Sequence, residues 1–233
     1  MRAQLVGLKD RVAARITALI AWGLPWLIRR SLRRGLRGVY VRGAWDALPP
    51  GGVLLAANHQ SWWDPYLAWL IGRRLQRPLS GPMLAETVAR FPFFRAHGAL
   101  MATELREALR RLERGELLIV FPEGGIRRVG RVEKLEPGMA FLARHAEQPV
   151  YPLACRVVLR GSQHPEAFLL LGEAVPPAAV EAALNALLAR LEANLAAADP
   201  EAPLPGYTSW LGGASSTHER AAWLGTLLRR RPG

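Results

Sequence analysis

Two hydrophobic rhythms alternate along the chain. Short, almost unbroken apolar runs read "GVYVRG", "GVLLAAN", "PLSGPML", "ELLIVF", "PVYPLACRVV" and "AFLLLGEAV". Between them lie longer mixed segments, "PYLAWLIGRRL", "ETVARFPFF", "ELREALRRLERG", "PGMAFLARHA" and "PPAAVEAALNALLARLEANLAAA". Runs such as "VLLAA" and "LLIVF" lack polar alternation, which suits strands covered on both faces of a parallel sheet. The pattern predicts an α/β domain over residues 39–198, with a mainly parallel central sheet flanked by helices and active-site loops where strands end. From Asp199 onward, residues 199–233 read as a Pro/Gly-rich tail ending in a short basic helix.

Residues 1–38 follow a different rule. Leu5, Leu8, Val12, Ile16, Leu19 and Ile20 share roughly a third of a helical wheel, with Lys9 intruding, so the first half reads as an amphipathic helix. Pro25 is expected to break or kink it before a second, basic helix. The apolar stretch from Ile16 to Ile28 is shorter than the roughly 20 residues a bilayer span requires, and it runs into arginines where a signal peptide would carry small residues. Trp22 and Trp26 beside Arg29, Arg30, Arg33, Arg34 and Arg37 fit the headgroup region, with indoles at the interface and guanidinium groups on lipid phosphate. The expectation is a membrane-associating arm, peripheral or monotopic, on the cytoplasmic face of the cell membrane. The plainer alternative is a surface helix pair with a core-facing stripe.

Charge sharpens this picture. The net charge of +12 is uneven: residues 1–38 carry +8, residues 219–233 carry +3, and everything between carries +1. A nearly neutral centre without RNA-binding aromatic signatures argues against nucleic acid as a partner, because polynucleotide binding rests on many phosphate contacts. The single cysteine, Cys155, excludes an internal disulfide framework and reads as a buried, inert thiol. His97, His145, His164 and His218 lack metal-ligand spacing, so neither a metal nor a cofactor is expected.

Two stretches carry chemistry. In "AANHQSWWDPYLAWL", residues 56–70, His59 follows a strand and Asp64 precedes Pro65 at the expected start of a helix. A carboxylate on one imidazole nitrogen fixes the tautomer and leaves the other nitrogen to take a proton from an alcohol. Taken alone, the spacing equally fits a helix-capping carboxylate beside an idle histidine. In "ELLIVFPEGGIRRVGRVEKLEPGMAFLA", residues 116–143, a strand gives way to a glutamate, two glycines and arginines at 127, 128 and 131. Adjacent glycines and arginine forks suit an anion, and Glu123 suits a polyol. A solvated surface turn is the bland account.

The order of these stretches resembles the glycerolipid acyltransferases, whose type member is 1-acylglycerol-3-phosphate acyltransferase. "NHQSWWD" matches that family's NHxSxxD block, "FPEGGIR" its FPEG block, and "QPVYPLA" a later block around a proline. The resemblance covers residues 39 to 175. It implies that His59 is the general base and Asp64 its orienting partner, while Glu123, Gly124 and Arg127 shape the acceptor site. The implied reaction moves a fatty acyl group from a thioester, on CoA or acyl carrier protein, to a lysolipid hydroxyl. Met101, Ala102 and Thr103 stand where the family has an arginine for the acceptor phosphate, with Arg95 or Arg106 as substitutes. A lipid acceptor without a phosphomonoester, such as a glycosylated or isoprenoid alcohol, therefore stands beside 1-acylglycerol-3-phosphate. Hydrolysis of the thioester by water and non-catalytic membrane binding compete with acyl transfer as functions for such a chain.

Overall fold

Strands whose residues have no polar face to show form the centre of the molecule. The computed structural model describes residues 2–222, with side chains from residue 12 onward. In chain order the elements begin with α1 (Arg2–Gly35), β1 (Gly38–Arg42), β2 (Val53–Ala57), α2 (Asp64–Arg74) and β3 (Leu79–Met83). Next come α3 (Ala85–Arg90), β4 (Ala99–Met101), α4 (Leu105–Glu113), β5 (Leu117–Val120) and α5 (Pro137–His145). The last are β6 (Val150–Val158), β7 (Glu166–Leu171), α6 (Val180–Ala197) and β8 (Thr208–Gly212).

The eight strands lie in the order β4-β3-β5-β2-β6-β7-β1-β8. β4, β3, β5, β2 and β6 run parallel; β7 and β1 run the other way, and β8 reverses again at the edge. Every residue of β2 and β5 is buried, which is why these runs show no alternation. Each leucine withdrawn from water there stabilises the sheet by about 1.5–3 kcal/mol. Val53, Leu55 and Ala57 face a core shared with α1 and α2, while Leu54 and Ala56 face one shared with α4 and α5. α6 covers the same second face over β6 and β7 through Leu184, Leu188 and Leu191. The expected mainly parallel sheet between helices is therefore what these residues build.

α1 departs from expectation. It is one helix across Pro25, not two. A proline inside a helix removes one N–H and leaves the carbonyl four residues earlier without a donor. Here that carbonyl belongs to Ala21, and His97 Nε2–H donates to it at 2.7 Å. His97 closes the 3-10 turn Pro92–His97, whose Phe93 and Phe94 pack on the same core as α1. The replacement donor thus comes from the domain on which the helix rests. His97→Ala is expected to lower stability by about 1 kcal/mol, read as a lower unfolding midpoint, with proteolysis near Ala21 rising more than elsewhere.

Leu24, Ile28 and Leu32, one turn apart, are the buried stripe of α1, and Leu36 just past its end continues it. Before Ala21 the stripe ends, and Val12, Ile16, Leu19 and Ile20 are exposed together with Trp22, Trp26 and Leu27. Because the helix is continuous, Val12–Gly35 is long and apolar enough by length and composition to cross a membrane. The expected length limit, drawn from the apolar stretch Ile16 to Ile28, does not hold for this longer segment. The side chains of Leu5, Leu8 and Lys9 lie outside the described residues.

The tail also holds more order than its composition predicts. β8 joins the sheet beside β1, and the chain then turns so that Gly213 N donates to Arg37 O and Ala214 N to Leu36 O, both at 2.8 Å. Ser216 and Glu219 exchange hydrogen bonds in a capping box, and residues 217–222 are helical. The Arg37 guanidinium, bonded to Glu219 at 2.7 Å, holds that carboxyl down to about 2. Residues 223–233, where the rest of the basic helix is expected, lie outside the described residues.

Candidate active site

The carboxyl ends of β2, β5 and β6 meet the starts of β1 and β7 at one edge of the sheet. β2 ends at Ala57, and the next residue cannot remain polar and buried without partners. Asn58, fully buried, extends the β2–β6 pairing with its side chain: Nδ2 donates to Cys155 O at 3.0 Å and Oδ1 accepts from Cys155 N at 2.7 Å. That clamp fixes the direction in which the chain leaves the strand. Burial also pushes the Cys155 thiol well above its ordinary value, and it is the Cys155 backbone that anchors Asn58.

His59 follows, and both of its backbone groups are bonded to the loop after β5. Its N–H donates to Glu123 Oε1 at 2.7 Å, and its C=O accepts from Arg127 N at 2.8 Å. The imidazole stacks on Phe121, ring centres 4.4 Å apart. The two motifs, 64 residues apart from His59 to Glu123, are in this way one structure.

Asp64 opens α2, yet its carboxylate does not turn inward to cap that helix. Oδ2 accepts from His59 Nδ1 at 2.9 Å, from Gln60 N at 2.9 Å and from Ser61 N at 2.8 Å. Three donors on one buried oxygen give a fixed acceptor, and a carboxylate facing Nδ1 holds the proton there. The second ring nitrogen, Nε2, is left as the basic atom. The capping role that the spacing alone would allow is thus set aside by the direction of the side chain. Ser61 Oγ accepts from Trp63 N at 3.1 Å, a turn contact that leaves Ser61 in the scaffold. Trp63 lies half-buried against Tyr66 and the backbone of α1, where a Cβ on Gly35 would stand 2.3 Å from its ring. Trp62 is 73% exposed.

The loop from Pro122 to Glu136 has no helix or strand of its own, a length that in compact domains usually serves function. Gly124 has φ 69°, and a Cβ there would stand 2.8 Å from Glu136 Cγ, so glycine is required for the turn. Arg127 Nη2 donates to Glu123 O at 3.0 Å and is otherwise exposed, as are Arg128 and Arg131. Downstream, Asn185 of α6 bonds both Val132 N at 2.8 Å and Val132 O at 3.0 Å, pinning the loop from below. His59, Asp64, Glu123, Gly124 and Arg127 therefore converge at one strand edge.

Glu123 is only 4% exposed, and burial raises its carboxyl above the ordinary 4.5, partly offset by the His59 amide. The folded state then binds that proton more tightly than the unfolded chain. Its contribution to stability is full below the ordinary value and is lost as pH rises through the raised one. Glu123→Gln keeps an oxygen for His59 N and removes the charge. The variant's unfolding midpoint is expected to gain on that of the wild type as pH rises from about 4 to about 8, measured by thermal unfolding across that range.

Among the substitutes for the missing arginine, Arg95 is paired with Glu104 at 2.8 Å and 3.1 Å. Arg106 is exposed beside a separate cleft lined by Thr103, Leu105, Arg110 and Phe141. Asn58, Gln60, Phe121 and Asn185 are given no role by the sequence alone. Asn58 and Asn185 are detectable as polar residues inside buried apolar runs, whereas nothing local distinguishes Gln60 or Phe121.

The sequence model of a family described as Acyltransferase matches residues 39–156. No curated protein matches the chain. Among solved structures, the fold is similar to the crystal structure of the 1-acyl-sn-glycerophosphate (LPA) acyltransferase, PlsC, from Thermotoga maritima. The TM-score is 0.54 with 19% identity, over 79% of this chain and 83% of that one. At that identity the likeness is one of fold.

Proposed function

The chain belongs to the Acyltransferase family, and from that premise we propose that it moves a fatty acyl group from a thioester to a lysolipid hydroxyl. 1-Acylglycerol-3-phosphate is the leading acceptor. The observation that carries this reading is the 2.9 Å bond between His59 Nδ1 and Asp64 Oδ2, which leaves Nε2 free to act on an alcohol. His59 Nε2 takes the proton of the acceptor hydroxyl as its oxygen attacks the thioester carbonyl. The tetrahedral oxyanion is met by amides of the glycine-rich turn. Collapse breaks the C–S bond, and the proton on Nε2 passes to the leaving thiolate of CoA or acyl carrier protein. Asp64 holds the ring and stabilises its charged form throughout. No cofactor takes part.

In this reading α1 brings the site to its substrate. Its exposed Val12, Ile16, Leu19, Trp22 and Trp26 enter one leaflet, and Arg29, Arg30, Arg33 and Arg34 meet lipid phosphate. Leu24, Ile28 and Leu32 are committed to the protein core, which supports a monotopic helix over a span. The cytoplasmic face of the cell membrane follows from a thioester donor.

A second reading keeps the chemistry and changes the acceptor. Met101–Thr103 carry no cation, and Arg95 is occupied by Glu104, which favours a lipid alcohol without a phosphomonoester. Purified protein with labelled acyl-CoA or acyl carrier protein, offered lysophosphatidate, neutral lysolipids and lipid glycosides, tests both. An acylated lysophosphatidate supports the first and an acylated neutral lipid the second. Free fatty acid alone would overturn acyl transfer to a lipid.

A further inference from the structure

Arg156 stands near the end of β6, one residue beyond the backbone that holds Asn58, and its side chain is 3% exposed. A buried charge is held at a cost that an aliphatic side chain of similar length avoids, so its partners matter. Nε donates to the Glu192 carboxylate of α6, and Nη1 to Gln60 Oε1. Nη1 also reaches Cys155 O at 3.0 Å, and Nη2 reaches Gly130 O at 3.2 Å.

Gln60 is the residue after His59. Its backbone N–H donates to Asp64 Oδ2 at 2.9 Å, and its side-chain Nε2 donates to Gly130 O at 3.1 Å. The guanidinium fixes which way that amide points, oxygen to Arg156 and NH2 to Gly130. One planar fork therefore grips the turn that carries the dyad and the loop that carries Arg127, Arg128 and Arg131, and braces both against α6. None of these contacts adds to the apolar core.

We propose that Arg156 is a positioning residue for acyl transfer: through Gln60 and Gly130 it sets how His59 and the arginine loop face a common substrate. The inference rests on His59 acting as the base. Misplacement of a catalytic group by about an ångström costs on the order of 100-fold in rate. Arg156→Met and Arg156→Lys are both expected to lower kcat per folded molecule by about that factor, with a smaller change in KM. Lysine keeps a cation for Glu192 but cannot span Gln60 and Gly130, so a merely charge-balancing arginine would be rescued by it.

The test measures kcat, KM and unfolding midpoint for these variants, for Gln60→Leu, and for Arg156→Met with Gln60→Leu. Gln60→Leu is expected to match Arg156→Met, and the double variant to be no worse than either, because both break one linkage. Independent, multiplying losses, full rescue by lysine, or kcat within about twofold of wild type in Gln60→Leu overturn the inference. If Arg156→Met does not fold, Arg156→Lys and Gln60→Leu decide it. Transfer retained by His59→Ala overturns the function beneath the inference, a result distinct from full activity in the Arg156 or Gln60 variants.

Discussion

Replacing His59 with alanine is expected to reduce acyl transfer by about 10²–10⁴, the range that a positioned general base contributes. The fold is expected to survive, because the His59 backbone stays bonded to Glu123 Oε1 and Arg127 N when the ring's contacts with Asp64 and Phe121 are lost. Asp64→Asn tests the orienting half of the proposal. With its oxygen where the three donors converge, asparagine keeps an acceptor for His59 Nδ1, Gln60 N and Ser61 N and removes the negative charge. The imidazolium that forms when Nε2 takes a proton then lacks the opposite charge that favours it. Loss of kcat in Asp64→Asn with an unchanged unfolding midpoint is the expected result. A fully active Asp64→Asn would show that the carboxylate serves only the turn.

The second large effect is on membrane attachment. Leu19, Trp22 and Trp26 are 69%, 85% and 64% exposed on α1, and each apolar side chain of this size contributes about 1.5–3 kcal/mol when withdrawn from water. Replacing all three with aspartate is expected to weaken co-sedimentation with anionic vesicles by more than about 100-fold, since each 1.4 kcal/mol is tenfold. Turnover on a detergent-dispersed acceptor is expected to persist, because these side chains are exposed and lie outside the buried stripe. Binding should also fall with salt, as each arginine near an anionic leaflet adds about 1 kcal/mol that counterions screen. Vesicle binding that the triple variant retains would remove α1 as the attachment surface.

How much of this is visible in the chain depends on the range of the interaction. The six apolar runs all become strands, and in β2, β5 and β7 burial on both faces leaves its mark locally, in an absence of alternation. β4 and β8 leave no such mark: Ala99–Met101 is three residues, and Thr208–Gly212 is exposed or half-buried at the sheet edge. Pro25 misleads for a related reason. Proline's local rule is to break a helix, and the donor that overrides it, His97, is 76 residues from Ala21, whose carbonyl it serves. At the site, His59 and Asp64 are legible as residue types at a spacing. The choice between a dyad and a cap is not, because it rests on which way one carboxylate points. Glu123 reads as a ligand for substrate, yet the structure ties one of its oxygens to the His59 amide, a contact that no spacing announces.

β1 pairs with β7 in the register Gly38↔Glu166 and with β8 in the register Gly38↔Gly212. Both partners are made long after α1. During synthesis α1 is therefore complete while the strand that follows it still lacks both neighbours. The sheet closes around β1 only when β7 and β8 arrive and Arg37 can meet Glu219. Contacts of such long sequence separation form slowly, so attachment to the bilayer has time to precede assembly. On this timing, and with α1 attached as proposed, the membrane would be the surface on which the chain folds as well as the one on which it works.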